Sequence, residues 1–109
     1  MADTIKEILA PVLDIPVERC SYRGDAAQYA VYRVIGQTGQ LCAADREAES
    51  GVLIAIDLYS KGNYLAALKL MRETLWLHGV GNEVEMETYE TDTGFYHVSV
   101  ICGRVSEYG

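Results

Sequence analysis

The residues able to do chemistry are few and scattered: Cys20, Cys42 and Cys102, His78 and His97, Asp57, and three alternate glutamates, Glu83, Glu85 and Glu87. A Cys102–His97 nucleophile–base pair fails on geometry. The two lie five residues apart in a segment with strand periodicity, and an odd separation sends their side chains to opposite faces. Cys102 instead shares its face with Tyr96, Val98 and Val100, where a thiol packs as a small apolar group. Nothing beside Cys20 or Cys42 would activate a thiolate. Three cysteines at wide spacing fit neither a disulfide framework nor a CxxC zinc knuckle, so reduced thiols are expected. His78 closes a helical pattern, where an imidazole interacts well with the helix dipole. His97 sits with Ser99 on the less apolar face of its segment, and no neighbour in sequence is placed to orient it as a general base. Two histidines without a Cys or Asp cluster make no zinc site, so no metal and no cofactor are expected.

The carboxylates need closer reading. Glu83, Glu85 and Glu87 fall at i, i+2 and i+4 of an alternating segment, which puts them on one strand face at spacings of about 6.5–7 Å. That is near the separation of paired glycosidase carboxylates. The simpler reading is a solvated acidic stripe that discourages edge-to-edge aggregation. The loop-wrapped ligand set that calcium favours is missing. Asp57 stands inside the apolar run Ile54-Ala55-Ile56-Asp57-Leu58-Tyr59. A charge there is costly unless it is partnered or emerges at the rim, so a rim position or a structural salt bridge is expected. The catalytic alternative joins Asp57 to His97 across strands, and it requires a concave site where the two converge within hydrogen-bond reach. Gly36-Gln37-Thr38-Gly39 matches a nucleic-acid-gripping GXXG loop only in letters. It lacks adjacent lysines and reads as a turn. Neither a Walker A motif nor GxGxxG is present.

The elements that must position these groups follow from periodicity. A chain of 109 residues, 50% hydrophobic and 23% charged, has the composition of one folded domain over residues 1–109 rather than of a disordered tail. No apolar run approaches the ~18–20 residues of a membrane span. The amino terminus lacks the basic and apolar regions of a secretory signal. A net charge of −7 repels phosphate backbones at long range. Ile5, Ile8, Leu9, Val12 and Leu13 form one helical stripe, with Pro11 predicting a kink or early stop. Residues 28–35 read as a strand, 51–60 as a central strand, and 41–50 as exposed strand or loop. Asn63 is placed to cap a helix from about Tyr64 to His78, whose stripe is Tyr64, Leu68, Met71 and Leu75 and whose stop is Gly79. Residues 83–90 and 95–105 alternate as two strands around a Thr91-Asp92-Thr93-Gly94 hairpin loop. The order α-β-β-α-β-β predicts a two-layer α+β domain: a mostly antiparallel four-stranded sheet with two helices.

Two stretches carry a likeness. Ile54-Ala55-Ile56-Asp57-Leu58-Tyr59-Ser60, followed by the helix ending near Leu75, resembles the tail-completion (tail terminator, tail-to-head joining) proteins of long-tailed bacteriophages and prophages. In that family an apolar strand ending in Asp-x-Tyr precedes a helix rich in Ala and Leu. The second stretch runs from Tyr89 to Val100 (YETDTGFYHVSV) and is similar to the family's closing hairpin of Tyr-Glu, a Thr-Gly turn and an aromatic-x-Val-Ser strand. Tyr29-Ala30-Val31-Tyr32 resembles its early strand, without the proline that often precedes it. The resemblance spans residues 28–105 in order. It implies a non-enzymatic subunit that assembles with copies of itself, commonly as a hexameric ring, at the head-proximal end of the tail tube. Its partners would be the tail-tube and head-connector proteins, with DNA passing through ungripped and no membrane involved. In such a ring Glu83, Glu85 and Glu87 are expected to face the lumen or solvent, and the eight tyrosines suit subunit contacts. Two other readings remain: another head-closure or neck adaptor, and a small enzyme using Asp57 and His97.

Overall fold

The computed structural model describes residues 4–38 and 51–105. Its first element, α1 (Thr4–Leu13), buries Ile5, Leu9 and Leu13 at intervals of four. Pro11 lies inside this helix, removing the donor that would satisfy the Glu7 carbonyl, and the helix ends two residues later. Asp14, at φ 58°, breaks the path, and Ile15-Pro16 leads into a short strand, β1 (Val17–Arg19). Then follow β2 (Gln28–Thr38), β3 (Gly51–Ser60), α2 (Leu65–Leu77), β4 (Gly81–Glu90) and β5 (Phe95–Val105).

The protein is α+β with two helices and a five-stranded mixed sheet in the order β1-β2-β3-β5-β4. This corrects the expected four antiparallel strands: the element order is α-β-β-β-α-β-β, and β1 runs parallel to β2. Three residues are too few to display a two-residue period, so β1 carries no signal of its own. It is held by the Ala30 amide donating to the Pro16 carbonyl and the Cys20 amide donating to the Tyr32 carbonyl, both at 2.9 Å. Every other neighbouring pair is antiparallel.

A second correction concerns Gly36-Gln37-Thr38, which is strand and not turn. These residues pair with Leu53, Val52 and Gly51 after a register shift between Val34 and Gly36. The glycine that suggested a turn sits just past a bulge, where the ladder resumes. Cys42 and the stretch at 41–50 lie outside the described residues.

Alternation sorts the strands into two faces. Ala30 and Tyr32, Ile54, Ile56 and Leu58, and Val98, Val100 and Cys102 point to one side. There they pack with Ile5, Leu9 and Leu13 of α1 and Met71 and Leu75 of α2. Each fully buried Leu or Ile contributes about 1.5–3 kcal/mol, so both helices are fastened to the sheet chiefly by these contacts. The N-cap of α2 is Tyr64 and not the expected Asn63, whose side chain, one residue earlier, accepts the Leu65 amide at 2.9 Å; Gly79, at φ +79°, ends the helix. Gly94, also at φ +79°, closes the β4–β5 hairpin.

Candidate functional site

The alternation that sends Ile54, Ile56 and Leu58 to the helices turns Ala55, Asp57 and Tyr59 to the opposite, helix-free face. Cross-strand register then builds a ladder of rings. Tyr29 of β2 is opposite Tyr59 of β3, and Tyr59 is opposite His97 of β5. The Tyr29 and Tyr59 rings stack at 4.9 Å and the Tyr59 and His97 rings at 4.4 Å. Tyr22 extends the ladder from the loop before β2, and Phe95 meets Tyr29 edge-on at 5.6 Å. Stacked and edge-on ring pairs each add about 0.5–1.5 kcal/mol beyond the area they bury.

Asp57 lies one step along from Tyr59 and reaches diagonally to His97, with Oδ1 2.9 Å from Nε2. An ionised carboxylate only accepts, so His97 Nε2–H is the donor. The other ring nitrogen, Nδ1, faces Glu90 Oε2 at 4.0 Å, and Glu90 Oε1 accepts the Thr93 hydroxyl at 2.8 Å. The imidazole is therefore flanked by two carboxylates. Asp57 is mid-strand and only 8% exposed, so the structure gives it a buried partner rather than a place at the rim. His97, which had no orienting group in sequence, has one from a strand 40 residues away. The rings and the pair line an open depression of about 570 Å³ that also includes Arg33 and Glu90.

The electrostatics of this face keep its phenols neutral. Burial raises the Tyr59 hydroxyl above its ordinary value, with the charge of Asp57 adding to the effect. Tyr29 is raised by burial and then by Glu90. Cys102, on the other face, is pushed up to about 12 by burial and behaves as a core thiol. His78 Nδ1 lies 3.0 Å from the Thr74 carbonyl at the end of α2, and Cys20 is exposed. Among the described residues no group of three or more His, Cys, Asp or Glu side chains is arranged to hold a metal ion.

The acidic stripe does not survive the register. A shift between Val84 and Met86 leaves Glu85 in a bulge. Glu83, opposite Ile101, belongs to the helix-free face, whereas Glu87, opposite Val98, belongs to the helix side. One inserted residue reverses the alternation beyond it, so the three exposed glutamates share no common face. β4 also exposes large apolar side chains, Val84, Met86 and Tyr89, and α2 exposes Leu65, Trp76 (52%) and Leu77 (85%). Trp76 also carries the Arg72 guanidinium 4.8 Å above its ring, and Arg72 Nε donates to Asn82 Oδ1 at 2.8 Å.

The arrangement meets the requirement set for the catalytic alternative, since Asp57 and His97 converge within hydrogen-bond reach beside an open depression. In a histidine–carboxylate catalytic pair one ring nitrogen is held and the other meets the reacting proton. Here the second nitrogen is turned to Glu90. Sequence reasoning missed the ring ladder and Glu90. The available signal was that Tyr29, Tyr59 and His97 each fall on the helix-free parity of a predicted strand. Comparison of the chain with protein-family models, curated proteins and solved structures finds no match.

Proposed function

We propose that this chain is a structural subunit of a bacteriophage or prophage particle: a tail-completion (tail terminator) protein that assembles as a ring, commonly of six copies, at the head-proximal end of the tail tube. It joins the tube to the head connector, works in the virion after assembly in the bacterial host cytoplasm, and transforms no molecule. The observation that carries this reading is the exposed apolar set on one outer strand and the adjacent helix, Val84, Met86 and Tyr89 with Leu65, Trp76 and Leu77. Exposed large apolar side chains of this kind, Val84 and Tyr89 on the helix side of the strand and Met86 on its other face, offer surface for association. Covering a half-exposed one contributes about 1 kcal/mol, so several together offset the repulsion between copies that each carry a charge of −7. The same charge lets DNA pass through a ring without being held. The ordered likeness over residues 28–105 supplies the particle setting, and the α+β subunit with two helices agrees with it. No helix among the described residues is long and apolar enough to cross a membrane.

The test is addition of the purified chain to polymerising tail-tube protein, with lengths and ends measured by electron microscopy. The reading predicts rings of the chain capping one end of each tube and arresting growth. A chain that binds purified heads but not tubes would instead be a head-closure or neck adaptor, and one that binds neither would overturn the assignment. One observation, the 2.9 Å Asp57–His97 contact, favours acid–base chemistry as a second reading. That reading requires Asp57→Asn to abolish a measurable turnover while leaving assembly intact.

A further inference from the structure

We infer that neighbouring copies join by pairing β4 of one subunit, antiparallel, with the Arg33–Thr38 stretch of β2 in the next, so that the sheet continues from copy to copy. This rests on the ring reading above and goes beyond it by naming the two surfaces that meet. The sheet order places β4 at one end, and the far end is only partly covered. β1 pairs with β2 at Ala30, Val31 and Tyr32 alone. Cys20, at φ +72°, makes the last bond to Tyr32 and turns the chain away. Among the described residues nothing pairs with the outer side of β2 beyond that point, nor with the outer side of β4. Among the described residues a ten-residue strand at one end and a six-residue stretch at the other both present unpaired backbone groups, each long enough for a stable ladder.

Direction, face and charge all agree with this pairing. β2, β3, β5 and β4 alternate in direction, so β4 of one copy runs antiparallel to β2 of a rotated neighbour. If both sheets keep the same face toward their helices, one register sets Val34, 38% exposed and on the helix side, opposite the helix-side Tyr89 and runs the rest of the stretch back along β4 toward Met86. In that register Arg33, exposed on the helix-free side, meets that side's Glu90. The charge pattern also excludes the simplest alternative, a two-fold contact of β4 with β4. The segment GNEVEMETYE holds four glutamates and no basic residue, so two copies side by side set like charges opposite each other. The stretch RVIGQT holds an arginine and no acid. Repulsion at one pairing and attraction at the other select a head-to-tail contact, and a head-to-tail contact that closes makes a ring.

The experiment is hydrogen exchange on the intact chain, assembled and diluted, alongside the association of three variants. Amides of both Gly81–Glu90 and Arg33–Thr38 should gain protection on assembly. Arg33→Glu should weaken association at least tenfold. Glu90→Lys should do the same, and both changes in one chain should restore it. Arg33 is exposed and Glu90 half-buried, and unchanged thermal melts of the dilute variants will show that the fold is kept. Protection gained on β4 without β2 would mean a two-fold contact and overturn the inference. Assembly that proceeds with protection elsewhere, and without response to Arg33→Glu, would remove the edge pairing and leave the ring standing. A chain that never associates would remove both.

Discussion

Breaking the Asp57–His97 contact should cost stability, and the structure sets the amount. The two side chains are 11% and 17% exposed and meet at 2.9 Å, so the bond is largely shielded from water and its acceptor is charged. Hydrogen bonds to charged groups are worth about 1.5–3 kcal/mol net. Asp57→Ala removes the acceptor and leaves the His97 Nε2–H without one at a site water reaches only in part, for an expected loss of about 2–3 kcal/mol. Asp57→Asn keeps an oxygen that accepts the same bond and should cost only about 1 kcal/mol. His97→Ala also forfeits the stack on Tyr59, about 0.5–1.5 kcal/mol, but that part cancels in a double-mutant cycle with Asp57→Ala. The cycle, measured by urea unfolding at neutral pH, should return a coupling of about 1.5–2 kcal/mol. The single Asp57→Ala change should lower the midpoint of thermal unfolding by about 10 °C or more. A coupling below about 0.5 kcal/mol would show that the buried carboxylate is held by something other than His97 and would refute the reasoning.

Other perturbations follow from the same structure. Leu75→Ala should cost about 3 kcal/mol in urea unfolding, because the side chain is fully buried between α2 and the sheet and its loss leaves a cavity. Asn63→Ala removes the acceptor of the Leu65 amide and should cost about 1 kcal/mol, with α2 amides exchanging faster at its first turn. The Cys102 thiol ionises near 9.0 in the unfolded chain and at about 12 in the fold, so its contribution is fully present below pH 9 and is lost as pH rises towards 12. That loss amounts to about 4 kcal/mol, and stability of Cys102→Val should fall less steeply across this window when followed by urea unfolding at stepped pH. Tyr29 and Tyr59, also raised, keep a residual alkaline slope in that variant above about pH 10.

What was legible in the sequence was whatever a local period decides. Tyr64, Leu68, Met71 and Leu75 mark α2, and Gly79 ends it because only a residue tolerant of positive φ continues the chain there. The apolar run from Gly51 to Ser60 is the central strand β3, and Cys102 is the core thiol its neighbours imply. What failed was whatever depends on a partner. β1 exists only through its pairing with Ala30–Tyr32. The Glu83, Glu85 and Glu87 stripe assumed an unbroken alternation, but the ladder with β5 inserts a bulge that periodicity in β4 alone does not show. Gly36 looked like a turn because glycine is frequent at both turns and bulges. Asp57 was recognisable as a charge in need of compensation. Its partner follows from the β3–β5 register, which sets His97 beside Tyr59 and one diagonal step from Asp57. Glu90 and the Tyr22–Tyr29–Tyr59–His97 ladder are products of the same register.

A sheet with one face packed and the other carrying stacked rings and a largely shielded Asp57–His97 hydrogen bond is a stable platform. In the proposed reading its outer strand and the adjacent helix are where copies associate, since both leave large apolar side chains exposed among the described residues. The most direct measurement is the mass of the purified chain in solution by sedimentation velocity, followed from nanomolar to high micromolar concentration. The account predicts a single closed species, near six times the subunit mass, growing at the expense of the monomer without larger polymers. A monomer that persists unchanged across the whole range would contradict it.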